Sequence, residues 1–127
     1  MAKRNNPEYQ LHKSICKFIS VQYPKAIFFS DGSGNNLSKT QAGMSKMLRS
    51  SRAVPDLFIC EPKGDYHGLF LEIKTSSPFK KNGEIRNNEH LKEQLNMLWR
   101  LEQKGYKAQF VWDLTDAIVI IKKYMSS

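Results

Sequence analysis

Residues 54–75 read VPDLFICEPKGDYHGLFLEIKT. Two apolar runs, 56–60 and 68–74, flank the segment EPKGDYH, whose Pro, Gly and Asp are turn residues. The pattern predicts two strands joined as a hairpin. Centred on Gly64, that hairpin sets position 56 opposite 72 and 60 opposite 68. Directly opposed residues share a sheet face with Cβ atoms about 4.5–5.5 Å apart, which makes Asp56 and Glu72 neighbours. Alternation along the strand puts Lys74 on the same face and turns Ile73 the other way. Two carboxylates so placed repel, and one is driven toward protonation unless a cation joins them. A hard divalent cation suits the pair better than Lys74 alone, since Mg²⁺ is held by one or two carboxylates together with waters and phosphate oxygens. The plainer alternative is a solvated Glu72–Lys74 ion pair, with Asp56 as a turn residue after Pro55.

Outward from the hairpin, the chain reads as alternating helices and strands. Residues 5–22 form a helix: Asn5 or Asn6 is the cap, Pro7 suits the first turn, and Leu11, Ile15, Phe18 and Ile19 share a face. AIFFS (26–30) is a short strand, and DGSGNNLS is a loop. Ser38 and Gln41 have capping-box spacing for a short helix through about Leu48. A polar, basic stretch at 76–88 precedes a helix over 89–104, with Leu91, Leu95 and Leu98 in register and Gly105 as its stop. KAQFVWD (107–113) is a strand. The final TDAIVIIKKYM is open to either reading, and Ala117, Ile118, Ile121 and Met125 favour helix. The fold class is therefore α/β, a mixed central sheet flanked by helices. Phe28, Phe29, Phe58, Phe70, Phe110 and Trp112 fall in strands and are assigned to the core, which leaves Trp99 and Phe79 as candidates for stacking on bases.

The 127 residues suit one domain. Twenty Lys and Arg against twelve Asp and Glu give a net charge of +8, which favours a polyanionic partner, most simply nucleic acid. No apolar run reaches the roughly 20 residues of a membrane helix. No apolar h-region follows the N-terminal basic residues. Cys16 and Cys60 lack metal-ligand spacing and read as buried free thiols in a reducing cytosol. His12, His67 and His90 are scattered, and surface or turn roles are expected of them.

Pro55-Asp56 followed by Glu72-Ile73-Lys74, in a basic chain, resembles the PD-(D/E)XK, or restriction-endonuclease-like, nuclease superfamily. SSRAVPDLFI, then LEIKT, a Gln in the next helix and LEQKGYKAQFV look like its VRR-NUC branch, over roughly Glu8 to Tyr124. Ala53 stands where that branch often has Gly. The resemblance implies a single nuclease domain over 1–127 with an α-β-β-β-α-β core. It implies that Asp56, Glu72 and the backbone carbonyl of Ile73 hold Mg²⁺, with Mn²⁺ as a substitute, and that Lys74 orients the attacking water or stabilises developing charge. Glu8 matches an additional Glu on the first helix of the superfamily. With Asn5 as the cap, however, Glu8 also has the capping-box position. Gln94 lies on the apolar face of its helix, where a buried amide needs partners. A site beside the scissile phosphate is one source of partners and sheet-edge backbone is another.

Two basic clusters flank these residues: Lys39, Lys46, Arg49 and Arg52 before Asp56, and Lys80, Lys81 and Arg86 after Lys74. They are expected to grip phosphates on either side of the cut. The implied activity is metal-dependent endonucleolytic hydrolysis of DNA, with branched or four-way junction DNA among the substrates. The implied setting is replication, recombination or repair in the cytoplasm of a bacterium or a phage-infected host. A homodimer would present two cutting sites to a junction. The alternatives are a non-catalytic nucleic-acid-binding module, or a nuclease subunit active only with a partner.

Overall fold

The structure, a computed structural model, describes residues 6–31, 50 and 53–127. Helix α1 spans Pro7–Gln22 and is capped by Asn6, whose side-chain oxygen accepts the Tyr9 amide at 3.1 Å. Pro7 sits in the first turn, where its missing N–H removes no helical bond. The elements that follow are β1 (Phe28–Ser30), β2 (Leu57–Ile59), β3 (Leu69–Ile73), α2 (Glu89–Gln103), β4 (Lys107–Val111) and α3 (Leu114–Met125). The C-terminal segment is thus a helix. Asp113 caps it, and Ala117, Ile121 and Tyr124 form its buried stripe. The expected helix over 38–48 and the basic residues Lys39, Lys46, Arg49 and Arg52 lie outside the described residues.

The four strands lie in the order β1-β2-β3-β4. The first three are antiparallel neighbours, while β4 runs parallel to β3 after the α2 crossover. Leu57 faces Leu71, Phe58 faces Phe70, and Ile59 faces Leu69. One further step sets Asp56 opposite Glu72, the register expected of a hairpin centred on Gly64. Gly64 has φ 56°, the left-handed conformation that favours glycine in such a turn.

Alternation divides the strand residues between two cores. Leu57, Ile59, Leu69, Leu71, Ile73 and Val111 pack with Ile15, Ile19, Ala117, Ile121 and Tyr124 of α1 and α3. On the other face, Phe70, Ala108 and Phe110 pack with Leu98 and Leu101 of α2. Burying a side chain of Leu or Ile size contributes roughly 1.5–3 kcal/mol, so the first cluster is the main source of stability.

Three expectations are corrected. Leu95 is 36% exposed: the inward stripe of α2 runs through Gln94, Met97 and Leu98, which keeps Leu98 inside and turns Leu95 toward solvent. Phe29 is 59% exposed, because β1 is an edge strand and α2 covers the β3 and β4 side of that face. Phe79 is not free to stack on bases, since its ring packs edge-on against Phe110 and Trp112 at 5.8 and 6.1 Å. Trp99 does remain exposed.

The topology gathers particular chain ends at one edge of the sheet. β1 and β3 run the same way and end there, β2 begins there, and the return helices α1 and α2 present their N-terminal halves to it.

Candidate active site

That edge carries Asp56 and Glu72. Asp56 precedes β2, and its Oδ2 accepts the Ile73 amide at 2.8 Å. From the other side, its carbonyl accepts the Asp31 amide at 2.8 Å. Asp56 is therefore fixed by the ends of both neighbouring strands. In a strand, one residue's N–H and C=O point to the same flank, so the Ile73 carbonyl also faces the Asp56 side.

Glu72 is 3% exposed, one of two buried polar or charged side chains among the described residues. Its carboxyl is pushed up to about 10, first by burial, then by a hydrogen bond with Asp56 and the charge of that residue, with a smaller push from Glu8. Lys74 opposes the shift. Glu72 is thus held toward its neutral form beside Asp56, the expected response of a crowded, buried acid. Lys74 is half-buried, and its amide continues the β3–β4 ladder by donating to the Val111 carbonyl at 2.8 Å.

Glu8 is not in the capping-box position. Asn6 is the cap, so Tyr9 occupies the third helical position and Glu8 the second. Its carboxyl is instead raised by partial burial and by the Asp56 charge, and lowered by Lys74. From the first turn of α1, Glu8 thus feels the charges of both Asp56 and Lys74.

Gln94 is 5% exposed, and its Oε1 has no hydrogen-bond partner among the described residues. It lies one turn before Leu98, which packs on Ala108 and Phe110, and Phe110 is the register partner of Glu72. Gln94 is therefore on the inward side of α2, which covers the sheet face that Glu72 shares. Sheet-edge backbone does not satisfy the Gln94 Oε1.

The segment after Lys74 folds back on itself. Phe79 bridges Ile85, the Lys80 amide donates to the Glu84 carbonyl at 2.7 Å, and Gly83 turns the chain with φ 88°. Phe79 anchors this small hairpin beside Phe110, which leaves Lys80 and Lys81 exposed at its tip. Arg86 donates from Nε to the Ser77 carbonyl at 3.0 Å and so braces the loop.

His12 was not among the residues expected here. It is half-buried, with Nε2 2.8 Å from Ser30 Oγ, and the Asp56 charge acts on its ring against the lowering effect of burial. The available signal was its spacing: Glu8 and His12 are four residues apart and share a helix face. His67 lies at the opposite sheet edge, its ring against Tyr106 at 5.5 Å, and His90 is exposed on α2.

The donor set fits a hard cation. Among the described residues, no three His, Cys, Asp or Glu side chains converge on one point as an all-protein cage. A buried Glu72 beside a half-buried Asp56, with a backbone oxygen on the same flank, matches the sparse, water-completed coordination of Mg²⁺ better than the closed tetrahedral sites of Zn²⁺.

No protein-family model matches the sequence, and no curated protein matches it. A solved structure described as a VRR_NUC domain protein superposes with a TM-score of 0.64 at 22% identity, covering 98% of this chain and 92% of that one. The chain has the VRR-NUC-type fold. That coverage extends the likeness over the whole α-β-β-β-α-β core and the terminal helix, not only the hairpin. Within this VRR-NUC-type fold, no helix among the described residues is long and apolar enough to cross a membrane.

Proposed function

We propose that this protein is a metal-dependent nuclease that hydrolyses DNA phosphodiester bonds at the Asp56 and Glu72 pair. One observation carries the reading: a buried Glu72, held toward its neutral form beside Asp56, with Lys74 on the same strand face. A purely structural Glu72 would be costly here, because a buried carboxyl group without a cation opposes folding.

Asp56, Glu72 and the Ile73 carbonyl would hold Mg²⁺, or Mn²⁺ in its place. When bound, the ion activates water and neutralises charge on the phosphoryl oxygens. Lys74 orients that water or stabilises the developing negative charge, as a half-buried ammonium can where water is sparse. Gln94 offers its unpartnered amide oxygen to a water or group at the scissile phosphate, and Glu8 adds negative charge. Lys80 and Lys81, at the tip of an anchored hairpin, and Arg86 beside them would grip the phosphate backbone together with Lys39, Lys46, Arg49 and Arg52. Net charge supports a polyanion as partner. The finer reading is an endonuclease acting on branched DNA as a homodimer in replication, recombination or repair.

The test is a cleavage panel of linear duplex, single strand, flap and four-way junction, each with Mg²⁺, Mn²⁺ or EDTA, wild type beside Glu72→Gln. Cleavage that needs the metal and Glu72 is the expected result. Binding without cleavage under every condition would replace the nuclease with a binding module.

A further inference from the structure

The first half of α1 carries Glu8 but contributes little to the core. The buried residues of the helix, Ile15 and Ile19, lie in its second half. Before them, Glu8, Tyr9 and Gln10 are exposed, and Leu11 is only partly buried. A helix end that projects beyond the core opens locally unless something else holds it. His12 supplies a hold. Its Nε2 lies 2.8 Å from Ser30 Oγ, and one turn later Cys16 Sγ lies 3.6 Å from the same hydroxyl. Ser30 ends β1, and the next amide, Asp31, donates to the Asp56 carbonyl. A short path therefore links α1 to the backbone of Asp56.

We propose that His12, bonded to Ser30, is a positioning residue that sets the Glu8 carboxylate against the Asp56 and Glu72 pair. Glu8 and His12 occupy successive turns of one helix face, so fixing His12 fixes how far the first turn stands from Asp56. The kinetic consequence rests on the nuclease reading above; the pin itself is a property of the fold. A histidine that merely fills space would support the molecule as a whole, whereas a pin acts on α1 and, through it, on Glu8.

The experiment uses the full chain with His12→Phe, which keeps an aromatic ring and removes the bond. It adds His12→Gln, whose amide reaches the position of Nε2, and Ser30→Ala. Each is made in wild-type and Glu8→Gln backgrounds. Amide hydrogen exchange over residues 8–14 should quicken roughly threefold to tenfold in His12→Phe and Ser30→Ala, the worth of one ordinary hydrogen bond. Exchange in the β2–β3 hairpin should not change, and His12→Gln should stay near wild type. With Mg²⁺ and the best substrate of the cleavage panel, kcat should fall by a similar factor at constant KM. The His12→Phe/Ser30→Ala double variant should be no worse than either single one, and His12→Phe should cost nothing further in Glu8→Gln. Unchanged exchange over 8–14, faster exchange throughout the molecule, or a kcat loss that multiplies with that of Glu8→Gln would each overturn the proposal. If wild type cleaves nothing, the nuclease reading fails, while the exchange data still decide whether His12 pins α1.

Discussion

The Asp56 carboxylate accepts the backbone amide of Ile73 at 2.8 Å, which ties the acid that opens β2 to the residue between Glu72 and Lys74. Asp56 therefore has two separable roles: hydrogen-bond acceptor for the fold and negative charge for the site. Asp56→Asn keeps an acceptor oxygen and removes the charge, whereas Asp56→Ala removes both. In chemical denaturation, Asp56→Asn should remain close to wild type, and Asp56→Ala should lose about 1–3 kcal/mol for the unmade bond. Cleavage should fall in both by at least about 10²-fold, the scale of losing one charge-stabilising group. A fully active Asp56→Asn would remove the charge from the mechanism.

The position of Asp56 opposite Glu72 is legible in the sequence, because a Gly-centred turn between two apolar runs admits few registers and a one-residue slip would expose every core side chain. Gln94 is legible as a polar residue on an apolar stripe, although the stripe itself is turned, with Leu95 outside. That rotation depends on how α2 lies over β4, which periodicity alone does not determine. Glu8 was ambiguous because two adjacent asparagines can cap α1, and the choice of Asn6 moves Glu8 out of the capping box. His12 and Ser30 were not legible as a pair. They are 18 residues apart on different elements, and only the packing of α1 beside β1 joins them.

Stability should depend on pH through Glu72. Its folded-state value, about 10, lies above the ordinary 4.5, so between those values the folded protein binds more protons than the unfolded chain. Stability of the metal-free protein should therefore fall as pH rises across that window. Glu72→Gln removes the titrating group. In EDTA, thermal melts of wild type should drop from pH 5 to pH 9 by more than those of Glu72→Gln. Equal slopes would show that Glu72 is not buried in the acid pair.

Gln94→Leu should stabilise the fold while impairing cleavage. The unpartnered Oε1 is buried at a cost that an apolar side chain avoids, about 1 kcal/mol or more. A gain of that size in urea unfolding with a reduced kcat is the expected pair of results. Destabilisation by Gln94→Leu would mean that the oxygen has a structural partner after all.

Lys80 and Lys81 stand exposed at a hairpin tip, whereas Arg86 spends one donor on the loop. Replacing both lysines by Ala should reduce the slope of log affinity against log salt for duplex DNA by about 2, near 0.9 for each phosphate that a lysine neutralises. The hairpin should keep its structure, since neither side chain braces it. An unchanged slope would place the DNA elsewhere.

The most direct measurement is calorimetric titration of Mn²⁺ into wild type and Glu72→Gln at pH 7.5, repeated in two buffers of different ionisation enthalpy. If Asp56 and Glu72 hold the ion, binding must displace the proton kept on Glu72. Wild type should then release about one proton per ion bound, and Glu72→Gln should bind far more weakly and release none. Equal binding by both proteins, or binding without proton release, would contradict the assignment of this carboxylate pair as the metal site.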